Sequence, residues 1–269
     1  MGRIITIASQ KGGVGKTTST LNLGYSLSSM GNRVLLLDCD PQGGITLATN
    51  LKKRTDRGLI NLLVEGATAD QIVMTTRSGN LSVAGIGKLE PDDVFMLDEF
   101  ARNGRLAAAV KQLAEGFDYL IIDSPAGVGS LVTSLMLASD AVLPVVICRA
   151  LSIKSLPVLL NLVHWVREHH NPDLLLEGVL LTMYDENSEL EKGLSQELRD
   201  SLPAELFYRT TIPLRPAFER ASVRSIPVGM LADGQEEAKH YMNLAWELKE
   251  RELGRKVAGG DNESDSGLF

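Results

Sequence analysis

Residues 9–20 read Ser-Gln-Lys-Gly-Gly-Val-Gly-Lys-Thr-Thr-Ser-Thr. A glycine-rich run that ends in Lys-Thr is a phosphate-handling pattern. Gly12, Gly13 and Gly15, with Val14 among them, let the backbone turn its N–H groups inward toward phosphate oxygens. Lys16 is placed to reach β- and γ-phosphates and Thr17 to ligate Mg2+ through its hydroxyl, and Thr18 is expected to bind the nucleotide with them. The full pattern, G-x-x-x-x-G-K-(S/T), would begin with a glycine at position 10, where Gln10 stands. The loop is therefore a variant, KGGxGKT, and a second lysine, Lys11, precedes its glycines.

Two other segments end an apolar run in acid. RVLLLDCDPQG delivers Asp38 and Asp40, and YLIIDSPAG delivers Asp123 just before a turn. Handling Mg2+ calls for this: a rigid strand that presents a carboxylate to the water shell of the metal.

A phosphate cradle needs a strand before it and a helix after it, and the chain supplies both. Apolar runs at 4–9, 33–38, 81–86, 119–123, 141–147 and 178–183 predict strands. Amphipathic stretches at 17–30, 98–115, 152–169 and 187–201 predict helices, with a last helix over about 235–255. The strands are apolar throughout and do not alternate, as expected when helices cover both faces of a parallel sheet. One α/β domain over residues 1–256 follows: a doubly wound, mostly parallel sheet with helices on both faces. The stretch 257–269, VAGGDNESDSGLF, is small and polar and predicts a disordered tail.

The composition narrows the class of protein. The 269 residues are 44% apolar and 23% charged, enough material for a sizeable core. A formal net charge of −7 argues against a uniformly basic surface and leaves room only for a local basic patch. Cys39 and Cys148 form neither zinc spacing nor a disulfide framework, which predicts buried thiols in a reducing cytosol. No apolar run reaches the length of a bilayer span and no secretory pattern precedes the first strand, so the expected location is cytoplasmic.

KGGVGKTT, LLLDCDPQG, IIDSPAG and VLLTMYD together resemble the ParA/MinD family of deviant phosphate-loop ATPases, and its small ParA-type members most. The resemblance extends to about residue 250. It implies a phosphate-loop NTPase fold, ATP and Mg2+ as cofactors, and a homodimer that sandwiches ATP. Lys11 then reaches across the interface to the ATP of the partner subunit, as an arginine finger does. By the same resemblance Asp40 orients the attacking water, and Asp38 and Asp123 serve the Mg2+ shell. Met183, Pro213 and Leu214 fall in stretches that line the adenine pocket.

ParA-type members hold DNA without sequence preference through basic residues in their C-terminal third. Here residues 208–227, YRTTIPLRPAFERASVRSIP, carry Arg209, Arg215, Arg220 and Arg224 with Glu219 as the only acid. Such a cluster suits a phosphate-tracking surface, with Lys239, then Lys249 and Arg251, as further candidates. The segment departs from the family at Arg220-Ala221, where Glu-Ala is common. The implied role is a nucleoid-associated switch that positions a plasmid, a chromosome or a large protein assembly. A ParB-like protein or cargo adaptor resets it by stimulating slow ATP hydrolysis. The alternative within the family is a MinD-like membrane-associated ATPase, which ends in a basic amphipathic helix. GGDNESDSGLF is acidic and predicts no membrane insertion. An iron–sulfur role would need two cysteines placed to share a cluster between subunits, and Cys39 and Cys148 do not fit.

Overall fold

The computed structural model describes residues 2–263. Eight strands form one sheet: β1 (Arg3–Ala8), β2 (Val34–Asp38), β3 (Met74–Thr75), β4 (Leu81–Ala84), β5 (Tyr119–Asp123), β6 (Ala141–Ile147), β7 (Leu175–Leu176) and β8 (Leu180–Thr182). Their order is β3-β4-β2-β5-β1-β6-β7, with β8 pairing β6 further along. Every pairing is parallel except that of β3 with β4. The strand that opens the chain is thus central, between β5 and β6.

The helices are α1 (Lys16–Ser29), α2 (Gly44–Ala48), α3 (Leu59–Glu65), α4 (Ala69–Ile72), α5 (Pro91–Arg102) and α6 (Arg105–Leu113). They continue as α7 (Ser130–Ala138), α8 (Ala150–His169), α9 (Glu189–Asp200), α10 (Pro216–Arg224) and α11 (Gln235–Glu263). Strand side chains alternate between two covered faces. Ile5, Ile7, Leu36 and Ile121 pack with Leu23 and Leu27 of α1 and with Leu244 and Leu248 of α11. Ile4, Leu35, Leu37 and Ile122 pack instead with Leu59, Leu97, Leu106 and Val110. Both faces are covered, so the strands read as near-continuous apolar runs, with few polar positions such as Thr6 and Ser82. Buried Glu177, just after β7, pairs with Arg3 of β1 and, at 2.6 Å, with Arg255 of α11, tying the last helix to the sheet.

Three expectations change. The single helix expected over 98–115 is two. Gly104, at φ +82°, takes a left-handed turn that ends α5 and starts α6. α5 begins earlier, at Pro91, where Asp93 accepts a hydrogen bond from the Glu90 N–H at 2.8 Å. α10 was not expected at all. Its Pro216, which cannot donate and is preset in φ, opens the first turn. The last helix runs to Glu263, past the tail boundary expected at 257, and residues 264–269 of that stretch lie outside the described residues. No helix among the described residues is long and apolar enough to cross a membrane.

Candidate functional site

β1 leads straight into the glycine loop, and α1 leads out of it. Gly13 and Gly15 take φ of +70° and +87°, which only glycine adopts without strain. α1 starts at Lys16 with no side-chain cap and no acid in its first turn. Its free N–H groups and the positive end of its dipole therefore face the loop without a competing anion. From the end of β8, the Thr182 hydroxyl donates to the Val14 carbonyl at 2.7 Å and pins the loop in place.

The loop treats its two lysines differently. Lys16 is 7% exposed, and burial lowers the pKa of its ammonium although Asp123 and Asp40 oppose the shift. Lys11 is exposed, held through its carbonyl by the Ser9 hydroxyl at 2.5 Å. Its ammonium has no carboxylate partner among the described residues.

The three acids converge below the loop because β2 and β5 are neighbours. Asp38 and Asp123 are register partners at the strand ends, both fully buried. Thr17 donates to Asp123 Oδ2 at 2.6 Å. Asp38 Oδ2 accepts from both the N–H and the hydroxyl of Thr46 at 2.8 Å, and its Oδ1 from the Asp40 N–H at 3.2 Å. Burial raises Asp38 to about 6 and Asp123 to about 7. Asp40 is partly exposed, and its carboxylate accepts from the Gln42 N–H at 2.9 Å. Thr46 went unnoticed in the sequence, because only the short turn of α2 brings it back over Asp38.

This arrangement fits a hard divalent cation. Asp123 Oδ1 is buried with no hydrogen-bond partner, and the Thr17 hydroxyl lies beside it. No group of three His, Cys, Asp or Glu side chains among the described residues forms a metal cage. That is consistent with Mg2+, which keeps several waters and takes few protein ligands.

Met183, Pro213 and Leu214 come together with Gly15 and Thr18 in a cavity of about 150 Å³ beside the loop. Met183 has φ +50°, a left-handed conformation that is costly for such a side chain. Arg215, Phe218 and Tyr241 also line this cavity and were not foreseen there.

The basic residues of 208–227 do not form the carboxylate-free cluster the segment suggested. Arg209 pairs with Glu250 and lies 3.7 Å from Glu247; Arg220 pairs with Asp233 at 2.8 Å; Arg215 reaches Glu186 at 4.0 Å. All four acids come from outside the segment. Lys239 pairs with Glu236 at 2.6 Å. Lys249 donates to the Asn32 side chain at 2.9 Å. Arg251 is spent on the carbonyls of Glu177, Glu205 and Phe207, a structural task. Arg224 is exposed and has no carboxylate partner among the described residues.

A family model described as an AAA domain matches residues 2–176. The sporulation initiation inhibitor protein Soj of Bacillus subtilis is 35% identical over 250 residues, covering 92% of this chain and 98% of Soj. The chromosome partitioning protein ParA of Myxococcus xanthus is 31% identical over 254 residues, covering 94% of this chain and 89% of that protein. The solved structure of the septum site-determining protein MinD from Pyrococcus horikoshii, complexed with Mg-ADP, matches at a TM-score of 0.77 and 25% identity. That match covers 92% of this chain and 96% of the MinD chain. The likeness extends far beyond the loop, and the chain belongs to the ParA/MinD family of phosphate-loop ATPases, the partition and positioning ATPases.

Proposed function

We propose that the chain is an ATP-dependent dimerising switch that holds DNA without sequence preference and positions a cargo. A ParB-like protein or cargo adaptor resets it by stimulating an intrinsically slow hydrolysis. The observation that carries this reading is the contrast between the loop lysines: Lys16 is buried against its own acids, while Lys11 stands exposed with no carboxylate partner. A lysine at a phosphate loop but turned to solvent is placed to serve a second subunit.

The Mg-ADP in the MinD relative supports ATP and Mg2+ as cofactors here. When bound, they supply the transferable phosphoryl group and the cation that balances the buried acids. The N–H groups of residues 12–16 and the Lys16 ammonium bind the phosphates. Thr17 ligates the metal, and Asp38 and Asp123 hold its waters. Met183, Pro213 and Leu214 enclose the base. Asp40 orients the attacking water, and Lys11 stabilises charge on the phosphates of the partner subunit. Arg220 and Arg224 on α10, with Arg209, Arg215 and Lys239, form the DNA face and place the ATP-bound dimer on the nucleoid.

Sedimentation with ATP tests this reading. The wild type should run as a dimer, and Lys11→Ala as a monomer or as a dimer that no longer hydrolyses. A fully active monomeric Lys11→Ala protein would sink it. One observation favours a second reading, a MinD-like membrane-associated ATPase. α11 exposes Trp246, Leu253 and Val257 by 57%, 64% and 60%, at the spacing of one helix face. ATP-dependent co-sedimentation with anionic vesicles but not with DNA would select it.

A further inference from the structure

A second cavity lies apart from the nucleotide cavity. It measures about 470 Å³ and shares no lining residue with the smaller one beside the phosphate loop. Its floor is aliphatic and buried: Leu21 of α1, Leu51, and Leu81 and Val83 of β4. Its rim carries three exposed arginines: Arg54, Arg77 in the β3–β4 turn, and Arg224 at the end of α10.

These arginines are unusual in this chain. Acids outnumber lysine and arginine 34 to 27, and most other arginines have found a carboxylate or a carbonyl. Arg54, Arg77 and Arg224 make no ion pair among the described residues, and no Asp or Glu lines the cavity. The fold brings three guanidinium groups to one apolar hollow and leaves them without a counter-charge.

Only three non-glycine residues among those described have left-handed φ: Asn50, Met183 and Ser225, at +54°, +50° and +55°. Met183 lines the nucleotide cavity, whereas Asn50 and Ser225 both line the larger one. Both turn the chain at a helix end, Asn50 just after α2 and Ser225 as the C-cap of α10, and so shape the cavity wall.

We propose that this cavity is a second, regulatory site for an amphipathic anion: an apolar body that fills the floor and a carboxylate or phosphate head held by Arg54 and Arg77, with Arg224, shared with the DNA face, beside them. Its size is that of a small-molecule site, roughly 300–1,000 Å³. The floor selects an apolar body, because leucine and valine side chains build it. The arginines select a planar or tetrahedral oxyanion, which guanidinium binds bidentately. α1 and α10 wall both cavities: Thr18 and Leu21 face different ones, as do Phe218 and Arg224. α2, whose Thr46 holds Asp38, ends beside Thr49 and Asn50 on the wall of the larger cavity. A ligand that fixes these helices against one another changes nucleotide affinity, and by linkage nucleotide changes the affinity for the ligand by the same factor.

The test uses the full chain saturated with ADP and Mg2+, so that the nucleotide site is closed to the probe. Anilinonaphthalene sulfonate, an apolar anion, reports binding by fluorescence, and four competitors follow. Decyl phosphate and decanoate should both displace it, and their ratio distinguishes phosphate from carboxylate sources. Decanol and inorganic phosphate, each with half of the required chemistry, should be at least about tenfold weaker. Arg54→Gln and Arg77→Gln should each weaken decyl phosphate by about tenfold, the scale of one charge-assisted contact. Thr75→Trp, on the exposed rim of β3, fills the hollow without touching the core and should abolish displacement. ADP titrations with and without decyl phosphate should differ in wild type and coincide in the Arg54→Gln/Arg77→Gln double variant. Four results would overturn the proposal: no displacement by either anion, equal displacement by decanol, unchanged binding in the double and Thr75→Trp variants, or displacement by a short DNA duplex as effective as that by decyl phosphate. The last would extend the DNA face from Arg224 to Arg54 and Arg77.

Discussion

Asp38 and Asp123 face each other in register at the ends of neighbouring strands, and neither has any exposure to solvent. Two carboxylates desolvated side by side resist ionisation, so both rise, to about 6 and about 7, with burial as the main cause. Without a cation the pair is held in an environment that favours its protonated form. The strands that place it are stable for other reasons, since their remaining side chains lie in the two apolar cores.

This pair makes a prediction about pH. The folded chain keeps protons on Asp38 and Asp123 that the unfolded chain releases near the ordinary carboxylate value of 3.8. Both folded values are raised, so the unfolded state binds fewer protons through this window and stability falls as pH rises from about 4 to about 7. In nucleotide-free protein, Asp123→Asn should melt with wild type at pH 4 or below and above it near pH 8. The Asp123 Oδ1 position has no hydrogen-bond partner to lose, so an amide there is tolerated. Thermal melts of both proteins across that range decide the matter, and a variant less stable than wild type at pH 8 would refute the account.

Asp40→Ala should separate binding from turnover. Asp40 lies at the edge of the site, partly exposed, and Thr17 holds Asp123 while Thr46 holds Asp38 without its side chain. The variant should bind ATP with Mg2+ and accumulate as the dimer, while hydrolysis falls by at least about a hundredfold, the scale of a lost base or water-positioning group. Turnover at the wild-type rate would remove Asp40 from the catalytic shell.

Strand-then-acid segments and the strand–loop–helix setting of the glycines were legible in the sequence because both are local. Each strand carries its own apolar run and its own terminal aspartate. What sequence could not order was the sheet: Asp38 meets Asp123 because β5 lies between β1 and β2, a matter of packing rather than spacing. The arginine segment misled for the same reason. Glu186, Asp233, Glu247 and Glu250 neutralise arginines that look free when only nearby residues are counted. Gly104 was readable as a breaker, yet the apolar period on either side of it concealed the break.

Glu177→Ala should cost stability without touching the site. The Glu177 side chain is fully buried, pairs with Arg3 and Arg255, and lies 3.4 Å from the Tyr208 hydroxyl. Removing it leaves the partly exposed Arg255 guanidinium without a carboxylate and Arg3 with Glu252 alone, at about 3 kcal/mol, the low end for a broken buried pair. For a chain of this size that corresponds to a melting point lower by roughly 10 °C. Calorimetry of nucleotide-free protein measures it, and a loss of only a degree or two would mean that water or Glu252 takes over the pairing.

The last prediction concerns the grip on DNA, and the ion pairs rank its arginines. Each phosphate neutralised contributes about −0.9 to the slope of log affinity against log salt. A dimer doubles the contacts, so two to three arginines per subunit give a slope of roughly −4 to −6 by that rule. Arg224 has no partner to give up and contributes fully, so Arg224→Ala should shallow the slope by up to about 2, one contact from each subunit. Arg220 and Arg209 must exchange a carboxylate for a phosphate, so their alanine variants should change the slope less. Such exposed pairs are worth at most about 1 kcal/mol, which leaves the exchange possible but its gain small. Monomers, with half the contacts, should lose their hold at physiological salt, and ATP would then gate binding through dimerisation. Interferometric binding of duplex DNA across a salt series, with ATP or ADP, measures all of these slopes. Binding that ignores the nucleotide, or identical slopes in the wild type and all three variants, would move the DNA face off α10 and favour the membrane reading of α11.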